Sequence, residues 1–483
     1  MLDRILVLTA AGVLAGCMTL GPDYKRPQVE TPERWRVETA AEPVPSQWWR
    51  SYGDPALERM IDEALIHNLD LRQAVARVAE ARAQLGVSSA DQYPGVTAGA
   101  EASRSRASQE SVLGIPPGAD PTFSDYSGSL NLSYEIDFWG KYRRATEAAR
   151  AELLSAQHNR DAVRLTLVGD VAKAYFSLRA LDSQVEVTKR TISTRLASTA
   201  LQRMRFQSGV ASELDLRQVE AQAAQALALL PSLERQVAAQ ENALSVLIGR
   251  SPRAIVEQAV ERGSAIDALT VPLAIPAGLP SDLLEKRPDL RQAEQSLVAA
   301  NARIGQAKAA YYPSISLTGA FGGASESLGD LFKSSARVWQ FSAQAAQTIF
   351  DAGRTASRVE AAKAREQQVL AQYQSAIQNA FRETLDALVA QRKARETLEA
   401  ERSRVEALTS ALRLAQLRYD NGVSSLLDVL DAERGLLEAE LNRLEAQRAQ
   451  LSATADLFKA LGGGWDPARP EQSARTDRAE RAN

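Results

Sequence analysis

"SLNLSYEIDFWGKYR" occupies residues 129–143. Within it Leu130, Leu132, Tyr134, Ile136 and Phe138 alternate with Asn131, Ser133, Glu135 and Asp137. A period of two sets a fully apolar face against a polar one, which is the pattern of a β-strand. A strand of about 9–11 residues built this way suits a membrane, apolar toward lipid and polar toward a lumen. Immediately behind it the pattern changes. From Tyr142 to Gln207 there is no proline, and Leu165, Val168, Ala172, Tyr175, Leu178 and Leu181 follow three- and four-residue steps. That is a helix, and about 65 residues at 1.5 Å each would reach roughly 100 Å. Helices of that length pack as coiled coils. It ends at "QSGVAS" (207–212), where Gly209 can adopt the left-handed conformation that stops a helix. A return helix then covers Glu213–Leu247, with Pro231 expected to kink it.

The same grammar occurs twice. "DLRQA" stands at 70–74 and again at 289–293, and at that offset of 219 residues Tyr93-Pro94 meets Tyr312-Pro313. Further on the offset is 213: Gly140 meets Gly353, Gly209-Val210 meets Gly422-Val423, Asp215 meets Asp428, and Gly249 meets Gly462. The change of offset places a longer loop in the first copy, within 105–128. The second copy repeats the long proline-free stretch at Arg354–Asp420, the turn "DNGVSS" and a return helix at Leu426–Leu461. Segments 93–104, 312–321 and 338–347 alternate like 129–138, giving four candidate strands in two hairpins. Tyr93, Trp139, Tyr142, Tyr312 and Trp339 near the strand ends suit an interfacial aromatic girdle.

Open sheet edges cannot persist in lipid, where unpaired N–H and C=O groups go unsatisfied. Four strands fall short of the eight of the smallest bacterial barrels, so the chain must share a barrel with copies of itself. Two copies would give eight strands and a filled interior; three would give twelve and leave a lumen.

Composition narrows the function. Lys and Arg total 57 against 60 Asp and Glu, a balance without the basic excess that binds nucleic acid. One cysteine and two histidines, His67 and His158, leave almost no material for zinc sites, disulfides or His/Cys catalysis, and no metal site or cofactor is expected. The amino terminus "MLDRILVLTAAGVLAGC" has an apolar run of signal-peptide length, Ile5 to Ala15, ending in Leu14-Ala15-Gly16-Cys17. This looks like a bacterial lipobox, in which the signal is removed and the cysteine carries the lipid; the only cysteine of the chain falls there.

Together these features identify a resemblance to TolC-type outer-membrane efflux channels, in the lipoprotein branch typified by OprM and NodT. It is carried by Cys17 followed by "GPDYKRP" (21–27), "WW" (48–49), "DPALERMIDEALIHNLDLRQA" (54–74), "YEIDFWGKYR" (134–143), "EKRPDLRQAE" (285–294), the two Gly-Val turns and "DVLDAER" (428–434). The resemblance implies an α+β membrane protein with internal duplication. Its outer-membrane β-barrel has four strands per chain and twelve in a homotrimer, continued by a long periplasmic α-helical coiled-coil barrel. It implies an exit duct partnered by a periplasmic adaptor, or membrane fusion protein, and an inner-membrane transporter of the resistance-nodulation-division (RND) type. Along the chain this corresponds to a signal peptide at 1–16, a lipidated extended segment at 17–54, a first repeat at 55–264, a linker at 265–287, a second repeat at 288–463 and a disordered tail at 464–483.

A duct makes and breaks no bonds, so its chemistry is gating and docking. Asp428 and Asp431 lie three apart on one helical face, and copies of the pair would form carboxylate rings that hold cations and constrict a pore. Similar channels use such a pair, with a tyrosine nine residues earlier, as gate and selectivity ring; here that tyrosine is Tyr419. Arg434 follows one turn on and could pair with a neighbouring helix, and Asp215 is the first-copy counterpart of Asp428. Carboxylates are also simply favoured at helix starts. The turns Gly209-Val210-Ala211-Ser212 and Gly422-Val423-Ser424-Ser425 are the expected adaptor contacts. Alternative readings are a duct for type I protein secretion, a cation-efflux duct, and an envelope-tethering lipoprotein without a pore; an enzyme is the remotest.

Overall fold

The computed structural model describes residues 19–33, 35, 44–108, 120–271 and 280–463; the signal segment 1–16, Cys17 and the tail 464–483 lie outside them. The first repeat contains α1 (Pro55–His67), α2 (Leu69–Ala90), β1 (Gly95–Arg106), β2 (Thr122–Glu135), α3 (Lys141–Gln207), α4 (Glu213–Leu247) and a short α5 (Pro252–Glu257). The linker carries a short α6 (Leu283–Lys286), and the second repeat contains α7 (Pro288–Ala309), β3 (Ser314–Ser325), β4 (Arg337–Ala346), α8 (Arg354–Asp420) and α9 (Leu426–Ala460). Helices α3 and α8 have 67 residues each and α4 and α9 have 35 each, as one constant offset requires. Helix α4 is continuous through Pro231.

The duplication extends to backbone conformation and contacts. The aligned pairs Gly140/Gly353, Gly209/Gly422 and Gly249/Gly462 all have positive φ, between 71° and 88°. A Cβ on Gly249 would lie 2.4 Å from the carbonyl of His67, and one on Gly462 would lie 2.4 Å from that of Lys286. The exposed carbonyls of each return helix are sealed at the same place by different residues. Asn68 Nδ2 donates to Leu247 O (2.9 Å), and Arg287 Nη1 donates to Ala460 O (3.1 Å). Gly462→Ala is therefore expected to lower stability by roughly 2–4 kcal/mol, from a left-handed φ and a backbone clash together. Gly86→Ala, in a helix with open space around it, should be neutral or stabilising by about 0.5–1 kcal/mol. Thermal unfolding of the two variants checks this.

By Cα proximity the chain forms two compact units, each drawing on both repeats. One is Met1–Pro27 with Val78–Ala156 and Ala293–Tyr373; the other is Gln28–Arg77 with Gln157–Gln292 and Gln374–Asn483.

The first unit holds a four-stranded antiparallel sheet of order β1-β2-β3-β4. Its register gathers the apolar positions on one face: Val96, Leu132, Gly319 and Phe341 form one row, and Ala98, Leu130, Phe321 and Trp339 the next. Leu130, Phe321, Trp339 and Phe341 are 53%, 54%, 70% and 75% exposed, an apolar face with no cover among the described residues. Strand β2 begins at Thr122, inside the stretch 105–128 read as loop, and stops at Glu135 rather than Phe138. Ser124 and Gly128 occupy apolar-face positions and hide the alternation, while backbone pairing from Thr122↔Arg106 to Gly128↔Ala100 holds the strand. At its other end Glu135 accepts from Lys141 Nζ (3.0 Å) and Tyr142 Oη (2.8 Å), and Asp137 accepts the Arg143 N–H (2.8 Å). The motif "YEIDFWGKYR" is thus a strand-to-helix joint. Trp139 stacks on Tyr312 at 4.8 Å beside it.

"GPDYKRP" is a strap fastened to the same unit. Leu20 N donates to Trp139 O (3.1 Å), and the buried Arg144 donates to Leu20 O (3.0 Å) and Asp23 Oδ1 (2.8 Å). Arg26 and Tyr24 donate to Glu294. Gly21 lies directly on Gly305, where a Cβ would sit 2.4 Å from the Gly305 Cα.

In the second unit "WW" corrects the reading of 17–54 as wholly extended. Trp48–Tyr52 form a 3-10 helix, and Trp48 is fully buried, stacked on Phe458 at 5.1 Å. Burying aromatic rings of this size overrides the local preference of a proline-rich stretch. Beside them Asp54 is 0% exposed. It caps α1 through the Ala56 N–H (2.8 Å) and accepts from Tyr175 Oη (2.6 Å) and Ser264 N (3.0 Å).

Candidate functional site: the helical turns and a polar seam

All the candidate gate and turn residues fall in the second unit. Each turn closes its long helix in the same way. Val210 N donates to Arg205 O (2.9 Å) and Val423 N to Arg418 O (2.8 Å), across Gly209 and Gly422 at φ 74° and 71°. The bonds leave Val210 and Val423 projecting, 78% and 64% exposed. Ser212 and Ser425 then start the return helices with capping boxes on Asp215 and Asp428. Asp215 N bonds Ser212 Oγ (3.1 Å), and Ser425 N bonds Asp428 Oδ2 (3.3 Å). The simple reading of these acids, that they secure a helix start, is therefore what they do within one chain. Ala211 and Ser424 complete the two turns.

Asp428 and Asp431 both lie on the exposed side of α9, opposite Leu426, Val429 and Leu430, which are buried. Arg434 Nη2 bonds Asp431 Oδ1 at 2.8 Å, along its own helix rather than across to another. Both side chains are about half exposed. The i,i+3 spacing already brings them together, so no second helix is needed. Asp431 and Arg434 line a groove of ≈ 220 Å³ between α4 and α9, together with Gln218, Gln222, Leu427 and Leu430.

Tyr419 is the member of the set with partners across helices. Its Oη accepts from Gln202 Nε2 (2.7 Å) and Arg205 Nη1 (3.2 Å) of α3, and the Arg205 guanidinium lies 5.8 Å from its ring centre. The ring packs on Leu216, Val219, Leu426 and Leu430, so one phenol joins both long helices above both return helices. Sequence reasoning missed Gln202 and Arg205. A signal was present: Thr188, Arg195, Thr199 and Gln202 occupy one stripe of α3 at seam spacing, and all four are buried. A coiled-coil seam made of polar residues specifies register at a cost in stability. Arg195 Nη1 donates to Gln222 O (2.7 Å) of α4. Glu433 of α9 belongs to the same layer; burial raises its carboxyl pKa while the charge of Arg195 works against that.

No helix of the described residues is long and apolar enough to cross a membrane, and among them no three or more His, Cys, Asp or Glu side chains cluster as metal ligands would.

The family profile described as "Outer membrane efflux protein" matches residues 60–250 and 279–463. The toluene efflux pump outer membrane protein TtgC of Pseudomonas putida is 36% identical over 478 residues, 96% of each chain. The cation efflux system protein CusC of Escherichia coli is 33% identical over 468 residues, 96% of this chain and 99% of that one. The crystal structure of the Campylobacter jejuni CmeC outer membrane channel superposes with a TM-score of 0.88 at 25% identity, covering 96% of this chain and 98% of that one.

Proposed function

The chain belongs to the outer membrane efflux protein family; it is an outer-membrane efflux channel and not an enzyme, and on that premise we propose that three copies close into the exit duct of a tripartite pump. The observation that carries this is the sheet: four strands whose edges, β1 and β4, have no strand partner among the described residues and whose apolar face is exposed among them. Such a sheet is stable in a membrane only when further strands close it, and twelve strands leave a lumen. The duct passively conducts small molecules delivered by a periplasmic adaptor and an RND-type inner-membrane transporter. Relatives of similar identity carry names for toluene and for cation efflux. That breadth supports a duct that leaves substrate choice to the transporter.

Cys17 is the proposed lipid attachment. Leu20, three residues on, is already bonded to Trp139 at the strand-to-helix joint. This supports acyl chains entering the membrane beside the Trp139–Tyr312 aromatic pair. The turns at 209–212 and 422–425 are the proposed adaptor contacts, with Val210 and Val423 as their apolar points.

The gate is proposed at Asp428 and Asp431, with Asp215, Arg434 and Tyr419 in support. Repeated around a threefold axis, the exposed carboxylates would make an anionic constriction. The test is single-channel recording in planar bilayers of the wild type and Asp428→Ala/Asp431→Ala. A small, cation-selective conductance that rises or loses selectivity in the variant is expected. No conductance from folded, inserted protein would sink the duct, and conductance unchanged by the substitutions would discard the gate alone.

A further inference from the structure

We propose that the outer rim of the sheet holds a phosphate site for a lipid of the outer leaflet, built across the seam between two copies. It is made of Arg104 and Arg106 of one copy and Arg337 of the next. The site rests on the closed-ring reading above, because neither edge strand completes it alone.

The seam register follows from strand lengths. β1 has twelve residues, Gly95–Arg106, and β4 has ten, Arg337–Ala346. In the chain, neighbouring strands of the sheet are antiparallel. Strand β1 runs toward the hairpin end and β4 runs back from it, so β4 of one copy meets β1 of the next antiparallel. Unpaired backbone groups in a membrane each cost several kcal/mol, roughly, so all ten residues of β4 take partners within β1. Ala346 then faces nothing before Gly95, and Arg337 must face Arg104, Ser105 or Arg106.

The alternation of faces decides among the three. Arg337 pairs with Gly323, Gly323 with Gly128, and Gly128 with Ala100, which puts Arg337 on the face of Leu130, Phe321 and Trp339. Arg104 and Arg106 share that face with Ala100, and Ser105 points the other way. Arg337 therefore stands opposite Arg104 or Arg106, with the remaining arginine close by. Directly opposed side chains have Cβ atoms about 5 Å apart, and like charges so placed repel.

Three exposed guanidinium groups on a lipid-facing surface call for an anion, and planar guanidinium groups bind phosphate in bidentate fashion. The other end of the sheet is built differently. There Lys141, Arg143 and Arg144 each have a carboxylate partner, Glu135, Asp137 and Asp23. At the hairpin end Asp330 is taken by Lys333, and Asp120 accepts the Thr122 N–H. Phe332 and Leu328, 92% and 61% exposed in the β3–β4 connection, extend the apolar surface beside the arginines. A phosphorylated lipid whose acyl chains lie on Phe321, Trp339 and Phe341 would carry its phosphate to that level.

The experiment uses the full-length protein purified in detergent, with bis-phosphorylated lipid A, dephosphorylated lipid A and inorganic phosphate as probes. Phosphorylated lipid A should raise the dissociation temperature of the wild-type oligomer and bind about tenfold more tightly than to Arg104→Gln/Arg106→Gln/Arg337→Gln, the loss expected for charge-assisted bonds. Equal binding of both lipid forms, or no effect of the substitutions, would overturn the site. So would full reproduction of the effect by inorganic phosphate. The ring is tested separately with Arg104→Cys/Arg337→Cys and Arg106→Cys/Arg337→Cys, against the background of Cys17 alone. One pair should give an intermolecular disulfide. An oligomer cross-linked by neither pair overturns the register and the site but not the ring; a protein that forms no oligomer overturns both.

Discussion

Asp54→Ala is expected to destabilise the chain by roughly 3–5 kcal/mol, the scale of breaking a buried charged network. Asp54 has no exposed surface and serves three elements at once. One oxygen holds the first turn of α1 through Ala56 N; the other accepts Tyr175 Oη of α3 and Ser264 N of the segment after α5. Tyr175 Oη in turn accepts from Gly263 N at 3.2 Å. Burial and the neighbouring carboxylate raise the phenol pKa, so it remains a donor throughout the physiological range. Alanine would leave these donors buried without an acceptor and open space for no better contact. Tyr175→Phe removes one donor, keeps the ring packed, and should cost only about 1–2 kcal/mol. Denaturant unfolding of the full-length protein measures both. An Asp54→Ala variant within about 0.5 kcal/mol of wild type, the range of ordinary surface changes, would show that the hub is ornamental.

The second large effect is expected at Tyr419. Tyr419→Phe keeps the ring on Leu216, Val219, Leu426 and Leu430 but removes the acceptor for Gln202 and Arg205. Gln202 is 3% exposed, so its amide would lose a bond where water cannot readily replace it. A loss of about 1.4 kcal/mol from the arrangement that joins α3 to α8 shifts the balance toward separated helices about tenfold. Open probability in planar bilayers should rise by that factor. Gln202→Ala should act in the same direction, and combining it with Tyr419→Phe should add little, because the bond it removes is already lost with the Tyr419 hydroxyl. Full additivity, or lowered stability with unchanged conductance, would reduce the contact to packing.

Much of this protein is legible in one dimension because its structure is locally encoded. Long helices without proline, alternating strands and a glycine at each turn are set by backbone preferences that act over a few residues. The duplication lets one copy check the other. Asn68 and Arg287 show where this stops: they do the same work for Leu247 and Ala460, yet no residue identity links them. The start of β2 was hidden for a related reason, since Ser124 and Gly128 are held by pairing with β1 rather than by apolar burial.

The candidate site divides along the same line. Gly209, Gly422 and the acids Asp215, Asp428 and Asp431 announce themselves by spacing, because turns and helix starts are built from neighbours in sequence. Tyr419 with Gln202, separated by 217 residues, does not. Neither does Asp54 with Tyr175 and Ser264, or Trp48 on Phe458. The sequence by itself determined the repeat, the elements, their polarity and the positions of the turns. Only the tertiary structure decided which buried polar groups satisfy one another, because a hydrogen bond between distant segments depends on where packing places them and leaves no periodic trace in the chain.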